Sequence, residues 1–478
     1  MSHPVLEALA AGTARPRSGY SVRAPARRAA PAARHVSPAE VALSTAHKLV
    51  SLWAGFARAR SSYETLLRFQ ERRLRRVLAD AERSVPLYAE KFAAAGVSAR
   101  EFRALPDLAR FPILEKDEVR DRFPEGCLRR GTDLEHCRIQ QTSGSSGRCM
   151  EIALSLRCDD ARNLFSQRIY GWNGFRWHNR VAYLFPYRLP FENNLGIYRN
   201  VFVDARQEPE AVLRELERVR PVILAATPSD VLDLLDGLAP ERDLRSLGLQ
   251  ALCLHSEPLS RDEREHFAER FGCAVRTNYY CNEVWAIAAE CAAGSLHQFM
   301  DNVVLELVDD AGAAVPDGAP GHVIVTGLHN RVQPFIRYRL GDVAVRRAER
   351  GCACGRDLPI LERVEGRDDD VFLHPDGRRV HPSKITVAVK SPCFDHPGLQ
   401  VFRDYQIVQD APDHVTILLV PGRDRGPFPH CARRGARNLE RLLAPGVRVQ
   451  LRVVESLAGG AGGKRKIFVR APNARGAL

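Results

Sequence analysis

Apolar positions recur along this chain with two different periods, and the change of period divides it. Over residues 38–119 the period is helical, with Leu66, Leu67, Leu74, Val77 and Leu78 building one apolar face. Pro86, Pro106 and Pro112 punctuate that segment. From residue 138 to about 365, short apolar runs alternate with helical stretches, which predicts an α/β fold. The runs Val181–Phe185, Val222–Ala226, Leu249–Leu254 and Gly321–Thr326 read as strands. Glu210–Val219 and Ser229–Leu238 read as helices, the second introduced by the capping sequence Thr227-Pro228-Ser229. Beyond Gly366-Arg367-Asp368-Asp369-Asp370 a fresh α+β pattern begins. Gln406–Gln409, Val415–Val420 and Val447–Val454 are its strands, and His430–Leu443 its helix. The pattern predicts an Ala/Arg/Pro-rich tail over residues 1–40, a large α/β domain over 41–365 and a small α+β domain over 366–478. No internal repeat is visible.

Composition narrows the class. With 478 residues, 45% of them hydrophobic and 27% charged, the chain can bury a large core in more than one domain. No stretch of some 18 apolar residues occurs, which argues against a membrane span. The net charge of +12 raises nucleic acid as a partner. However, the excess sits in the Arg-rich ends and on helical faces such as Arg72, Arg73, Arg75 and Arg76, so no specific nucleic-acid site is expected. Residues 1–40 lack the apolar core of a secretory signal and read as a disordered extension. The 12 cysteines are then reduced thiols or metal ligands, and the expected location is cytoplasmic.

Candidate chemistry begins at Thr142-Ser143-Gly144-Ser145-Ser146-Gly147, a run of small and hydroxylated residues after Gln140 and Gln141. Such a loop can present several N–H groups and hydroxyls to an anionic oxygen, because glycine permits close approach. It lacks the Gly-Lys-Ser/Thr of a Walker loop, and by itself an ordinary Gly/Ser turn reads equally well. Downstream, in order, come Ser256-Glu257-Pro258-Leu259, Asn278-Tyr279-Tyr280-Cys281-Asn282-Glu283, Arg337-Tyr338-Arg339-Leu340-Gly341-Asp342, Gly366-Arg367-Asp368-Asp369 and Gly463-Lys464. Separately, Cys291, His297, Cys352 and Cys354 supply four soft or borderline ligands, the number zinc takes in a tetrahedral site. Their spacing alone leaves open a pair of buried thiols and a surface histidine.

Taken in order, these segments resemble the adenylate-forming (acyl-/aryl-CoA synthetase) superfamily, in particular its phenylacetate–CoA ligase-like branch. The resemblance runs from about residue 60 to 470 and includes Ser84–Tyr88, Leu105–Leu108 and Phe111–Asp117 near its start. It implies a large adenylation domain with mixed sheets and a small mobile C-terminal lid. It also implies ATP-dependent activation of an aromatic or apolar carboxylic acid to an acyl-adenylate, then transfer to a thiol, coenzyme A by family habit. A carrier-protein pantetheine or an amine is the alternative acceptor, and a non-catalytic nucleotide-binding homologue the alternative function.

By this resemblance the loop at 142–147 would hold the β- and γ-phosphates, and Ser256, Glu257 and Pro258 would lie near adenine. Tyr279 would stack on the base, and Glu283 would help hold Mg²⁺, a hard cation needing oxygen ligands. Asp342 would accept the ribose hydroxyls and Arg367 would contact the nucleotide. Asp369 would be the hinge, and Lys464, with Lys466 as its substitute, would close over the α-phosphate and carboxylate. The sequence departs from the family pattern at Tyr280 in place of Gly and at Asn282 in place of Thr/Ser, which implies a narrowed or altered acid pocket. The resemblance also supports a structural zinc at Cys291, His297, Cys352 and Cys354, expected to staple loops beside the nucleotide site. Trp172, Trp177, Tyr183, Phe185 and Tyr187 are candidates to line the acid pocket or to pack the core. Either a monomer or a homodimer fits.

Overall fold

The computed structural model describes residues 55–141, 150–185, 199–257, 259, 261–365, 372–380, 382–396, 401–422, 424–457 and 468–470. After a helical turn at residues 55–58 comes helix α1 (Tyr63–Ser84), whose N-cap Ser62 accepts a hydrogen bond from the Thr65 amide, and α2 (Pro86–Ala94) follows with proline at its first turn. Leu66, Leu74, Val77, Leu78 and Ala81 of α1 are buried, so the helical period read from the sequence is the period that packs. A short helix α3 (Lys116–Arg122) precedes the antiparallel pair β1 (Cys137–Gln141) and β2 (Glu151–Ser155). Gln141 pairs with Glu151, so this ladder sets the two ends of the 142–147 segment, which itself lies outside the described residues.

The central feature is an eleven-stranded sheet. Its strands are β3 (Arg180–Phe185), β4 (Arg199–Asp204), β5 (Ile223–Ala226), β6 (Ala251–His255), β7 (Ala274–Cys281), β8 (Trp285–Glu290), β9 (Leu296–Gln298), β10 (Val303–Val308), β11 (Pro320–Gly327), β12 (Tyr338–Arg346) and β13 (Ile360–Glu365). They lie in the order β10-β11-β12-β13-β9-β8-β7-β6-β5-β3-β4. Strands β4, β3, β5, β6 and β7 are parallel to one another, whereas every pairing from β7 to β10 is antiparallel. Strand β7 is therefore the seam between the two halves.

Within the parallel half β3, β5 and β6 are buried on both faces, which is why they read as continuous apolar runs. Ala182, Leu184, Leu224, Leu252 and Leu254 face α5 (Pro209–Val219), α6 (Pro228–Asp236) and α7 (Arg261–Phe271). Val181, Tyr183, Phe185, Ala225 and Cys253 face α4 (Leu156–Trp172) through Phe165, Ile169 and Tyr170. Each such aliphatic or aromatic side chain contributes about 1.5–3 kcal/mol by leaving water. Thr227 caps α6 as the sequence predicts, its Oγ1 accepting from the Asp230 amide at 3.1 Å. The antiparallel half packs against α1 and α2 through Val303, Leu305, Val323, Val325 and Tyr338.

Beyond residue 371 a second sheet has its own core. The hairpin β14 (Phe372–Leu373) and β15 (Arg379–Val380) leads into α8 (Pro382–Lys390). Strands β16 (Phe402–Ala411), β17 (His414–Pro421), β18 (Arg448–Val453) and β19 (Phe468–Arg470) form a four-stranded sheet in the order β18-β17-β16-β19. It is covered by α9 (Phe428–Leu442), whose Phe428, Cys431, Ala432 and Leu439 are buried. This is the α+β pattern expected for the last hundred residues. Lys384 Nζ on α8 donates to Asp233 Oδ1 on α6 at 2.8 Å. Among the described residues, no helix is long and apolar enough to cross a membrane.

Candidate active site

Open α/β sheets take their ligands outside the carboxyl ends of the parallel strands, at the point where strand order or direction changes. Here that point is the end of β7. A register shift between Tyr279 and Tyr280 interrupts the β7–β8 ladder, and Trp285 at the start of β8 has φ +68°. Such bulges re-aim side chains. Tyr279 packs toward the core beneath the antiparallel half, whereas Tyr280 packs toward the layer beneath α4.

Two hydrogen bonds tie separate motifs together. Tyr279 Oη donates to Asp342 Oδ2 at 2.7 Å, and Tyr338 Oη donates to Glu283 Oε1 at 2.9 Å. Burial, reinforced by the Asp342 charge, pushes the Tyr279 phenol well above its ordinary range, so it remains a donor. A third link reaches the segment before the Gly/Ser loop. Gln140 Nε2 donates to Asn282 Oδ1 at 2.7 Å, and Arg162 Nη1 donates to Gln140 Oε1 at 2.8 Å. Arg162 also donates to the Asn282 carbonyl and lies 5.4 Å from the Trp285 ring. Asn282, a departure from the family pattern, thus holds β1 against β7. A narrow cleft beside Glu283 is lined by Arg162, Asn302, Asn330 and Phe335.

Ser256, expected near adenine, lies at the carboxyl end of β6 with φ +70°. Glycine is the residue that adopts this backbone without strain, and the related motif has glycine there. The His255 ring nitrogen Nδ1 lies 2.8 Å from Ser256 Oγ. Burial lowers the His255 pKa to about 4, so the ring is neutral at pH 7. Glu257 is buried, and Pro258 lies outside the described residues. So do Thr142 through Gly147, Arg367, Asp369 and Lys464.

The structure therefore brings together Tyr279, Tyr280, Asn282, Glu283 and Asp342, with Ser256 and Glu257 at the end of the neighbouring strand β6. Sequence reasoning missed Arg162. Nothing in its helical context marks it, because only the fold sets it against Gln140 and Asn282. Tyr338 had been read as part of a motif but not as the partner of Glu283.

The four thiol and imidazole ligands also converge. The candidate ligand atoms of Cys291, His297, Cys352 and Cys354 all lie within 4.8 Å of one another. Cys291 Sγ is 3.7 Å from Cys352 Sγ, and Cys354 Sγ is 3.2 Å from His297 Nε2. Both cysteine segments turn tightly, with Gly294 N donating to Cys291 O and Gly355 N to Cys352 O. These turns need glycine, at φ +79° and +75°. Burial pushes Cys291 up to about 11. Cys352, despite its own burial, is held down to about 7 by hydrogen bonds from Ser295, the Cys354 amide and the neighbouring thiols.

The place of this cluster corrects the sequence reading. Cys291 follows the last residue of β8, whereas Glu283 precedes the first, and six strand residues span about 20 Å. The cluster lies at the far end of β8 rather than beside Glu283. The aromatic candidates divide as well. Trp172 stacks on Phe299 at 5.0 Å and meets His297 edge-on at 6.2 Å, and Trp177 is 61% exposed. Trp172, Tyr183 and Phe185 all belong to the layer that holds Tyr280, and Tyr187 lies outside the described residues.

Comparison with known proteins bears on this geometry. The family described as AMP-binding enzyme matches residues 196–330. A phenylacetate-coenzyme A ligase of Thermus thermophilus is 28% identical over 351 residues, covering 67% of this chain and 74% of that protein. The chain resembles the phenylacetate–CoA ligases. Similar enzymes of Pseudomonas putida and Escherichia coli are 27% and 26% identical, over 68% and 70% of this chain and 75% and 78% of theirs. Among solved structures, 2-hydroxyisobutyryl-CoA ligase in complex with 2-HIB-AMP and CoA superposes with a TM-score of 0.61 at 21% identity. That match covers 86% of this chain and 91% of the other. The same ligase in its postadenylation state gives 0.59 at 20%, covering 87% and 91%. The architecture is the adenylate-forming fold expected from the sequence.

Proposed function

We propose that the protein is an AMP-forming acid–thiol ligase that activates a carboxylic acid with ATP and passes the acyl group to coenzyme A. The observation that carries this reading is the pair of bonds at the end of β7, Tyr279–Asp342 and Tyr338–Glu283, which ties two motifs far apart in sequence together at the sheet's ligand-binding edge. The printed identities of the relatives, phenylacetate-coenzyme A ligases, support the same chemistry.

In the first half-reaction a carboxylate oxygen attacks the α-phosphorus of ATP and pyrophosphate departs, leaving an acyl-adenylate. In the second, the thiolate of coenzyme A attacks the acyl carbonyl and AMP departs. A free carboxylate is a poor acyl donor because its oxygen leaves badly; adenylation supplies the better leaving group. The protein's work is to position the reactants and to balance charge. Asp342 is assigned to the ribose hydroxyls and Tyr279 to the base, with their mutual bond fixing both. Thr142–Gly147 are assigned to the terminal phosphates, Arg367 to the nucleotide and Lys464 to the α-phosphate and carboxylate.

Glu283 offers the buried oxygen ligand that Mg²⁺ requires, oriented by Tyr338. When bound, the ion would neutralise phosphate charge. We assign the Cys291–His297–Cys352–Cys354 cluster to zinc. Three thiols and a neutral imidazole form a closed structural donor set, and burial lowers His297 to about 4, which keeps it in its ligating form. Reduced thiol ligands together with the use of ATP and coenzyme A support a cytoplasmic location. Residues 366–478 are assigned as a lid that turns about Asp369 between the two half-reactions. Lys384–Asp233 is then one contact of the arrangement seen here.

Pyrophosphate release with ATP, Mg²⁺ and a panel of aryl, arylacetic, fatty and amino acids tests the reading, with hydroxylamine trapping the adenylate. Acid-dependent release is expected. Adding coenzyme A or a pantetheinylated carrier protein then names the acceptor. Nucleotide binding without acid-dependent release from any acid would indicate a non-catalytic homologue.

A further inference from the structure

Beneath α4, at the carboxyl ends of β3, β6 and β7, aromatic rings enclose polar atoms that the protein leaves unpaired. Phe185 stacks on His255 at 5.1 Å and 19°, and His255 meets Tyr280 edge-on at 5.7 Å and 90°. Trp285 closes the group 5.2 Å from Tyr280. Tyr280 Oη is buried without a hydrogen-bond partner among the described residues, and so are both Oδ1 and Nδ2 of Asn278. Tyr280 and Asn278 are two residues apart on β7, and both have the buried thiol Cys253 as a neighbour. The polar groups nearest them are the Ser166 hydroxyl beside Tyr280 and the Cys253 thiol, a weak partner, beside Asn278. Ser166 Oγ also accepts from Trp285 Nε1 at 3.0 Å and donates to the Arg162 carbonyl at 3.2 Å.

An unpaired buried polar group costs stability, and an unexplained one calls for a partner outside the chain. Phenylalanine would fill the place of Tyr280 without that cost, and an aliphatic residue would do the same for Asn278. The position matters as much as the chemistry. These atoms sit at the sheet's ligand edge, and Tyr280 adjoins Tyr279 and lies three residues from Glu283. Flat walls select a flat ligand. A phenolic hydroxyl and a free amide offer donors and acceptors together.

We infer that this layer selects the acid, and that the acid is aromatic with a hydroxyl or amino group on its ring, held by Tyr280 Oη and the Asn278 amide. This rests on the adenylation reading and narrows its substrate class. Tyr280 then acts as a specificity-determining residue rather than as a plug: it shortens the pocket and places a hydroxyl where the ring substituent ends.

The test is calorimetric binding of non-hydrolysable acyl-sulfamoyl-adenosines to the full-length protein, with benzoyl, 3-hydroxybenzoyl, 4-hydroxybenzoyl, 4-aminobenzoyl and hexanoyl groups. At least one ring-substituted analogue should bind about tenfold or more tightly than benzoyl, because a site built to hydrogen-bond a group rejects the analogue that lacks it. In Tyr280→Phe that ratio should shrink below about threefold. The thermal midpoint of the free variant should rise, since an unpaired hydroxyl has been removed. Asn278→Ala should reduce the same ratio. A wild-type ratio near one, or a ratio untouched by both substitutions, overturns the inference while leaving adenylation standing. If none of the five analogues binds, the adenylation reading fails and takes the inference with it.

Discussion

The two ends of strand β8 carry opposite kinds of chemistry. Where it begins, at Trp285, the neighbouring groups are hard oxygen donors and amides, each held by a named partner: Glu283 by Tyr338, Asp342 by Tyr279, Asn282 by Gln140 and Arg162. Where it ends, at Cys291, three thiols and an imidazole crowd within 4.8 Å of one another, with Arg356 and Arg347 close enough to act on His297. On the reading proposed above, the first arrangement handles substrates and the second is completed by a metal. Loss of a group at the first end should therefore remove chemistry and spare the fold, whereas loss at the second should weaken the fold first.

The largest effect expected from this contrast is at the β7 end. Glu283→Gln keeps the volume and the bond from Tyr338 but removes the charge, and should slow acid-dependent pyrophosphate release by about 10²–10³-fold. Its thermal midpoint should stay near that of the wild type; a large drop would mean that Glu283 is structural. Lys464→Ala should sharpen the picture by slowing adenylation far more than thioester formation from preformed adenylate. Equal loss in both half-reactions contradicts its assignment.

Next in size is the metal. Stripping it with a chelator, or substituting Cys354→Ser, should lower stability by about 4 kcal/mol, the linkage expected for a ligand present at a thousandfold above its Kd. Elemental analysis of the untreated protein should find close to one zinc per chain. Less than about half an equivalent, with stability unmoved by chelation, would reduce the cluster to buried thiols.

A smaller, pH-dependent effect belongs to Asp230 at the start of α6. Burial raises its pKa from 3.8 to about 7, with Glu257 adding to the shift. The folded form then holds a proton that the unfolded chain has released, so stability should fall as pH rises from about 4 to 7 and level off above. Asp230→Asn should remove that decline, on the order of 2–4 kcal/mol between the two limits. Denaturant titrations at pH 4.5 and 7.5 measure it, and an unchanged slope in the variant would assign the pH dependence elsewhere.

Smallest is Ser256→Gly. Relieving φ +70° should gain roughly 1 kcal/mol, less whatever the contact with His255 contributes. A loss of stability would mean that the Ser256 hydroxyl outweighs the strain.

The same two ends show how far the sequence can be read. Strands β3, β5 and β6 were legible because both their faces are buried, so each is an unbroken apolar run such as Val181–Phe185, whereas β4 and β7 are broken by polar residues such as Asn200 and Arg276 and were not read. The α1 face and the capped start of α6 were legible because helical period and cap chemistry are local. The four thiol and imidazole side chains were legible as a set, but not their position, because β8 carries Cys291 about 20 Å from Glu283 and nothing in the linear order marks that distance. Arg162 and the Tyr338–Glu283 bond were not legible, since they depend on contacts across 120 and 55 residues of chain. Trp172 and Trp177 were misleading for the same reason. Neighbours in sequence, they part at the end of α4, one stacking beside the metal ligands and the other facing solvent.

The central claim is that a carboxylate oxygen of the substrate acid attacks the α-phosphorus of ATP. It is tested most directly with acid labelled with oxygen-18 in its carboxylate, turned over with ATP and coenzyme A, and mass analysis of the nucleotide. The account predicts one labelled oxygen in AMP and none in pyrophosphate. Label in inorganic phosphate, or AMP formed without label, would contradict it.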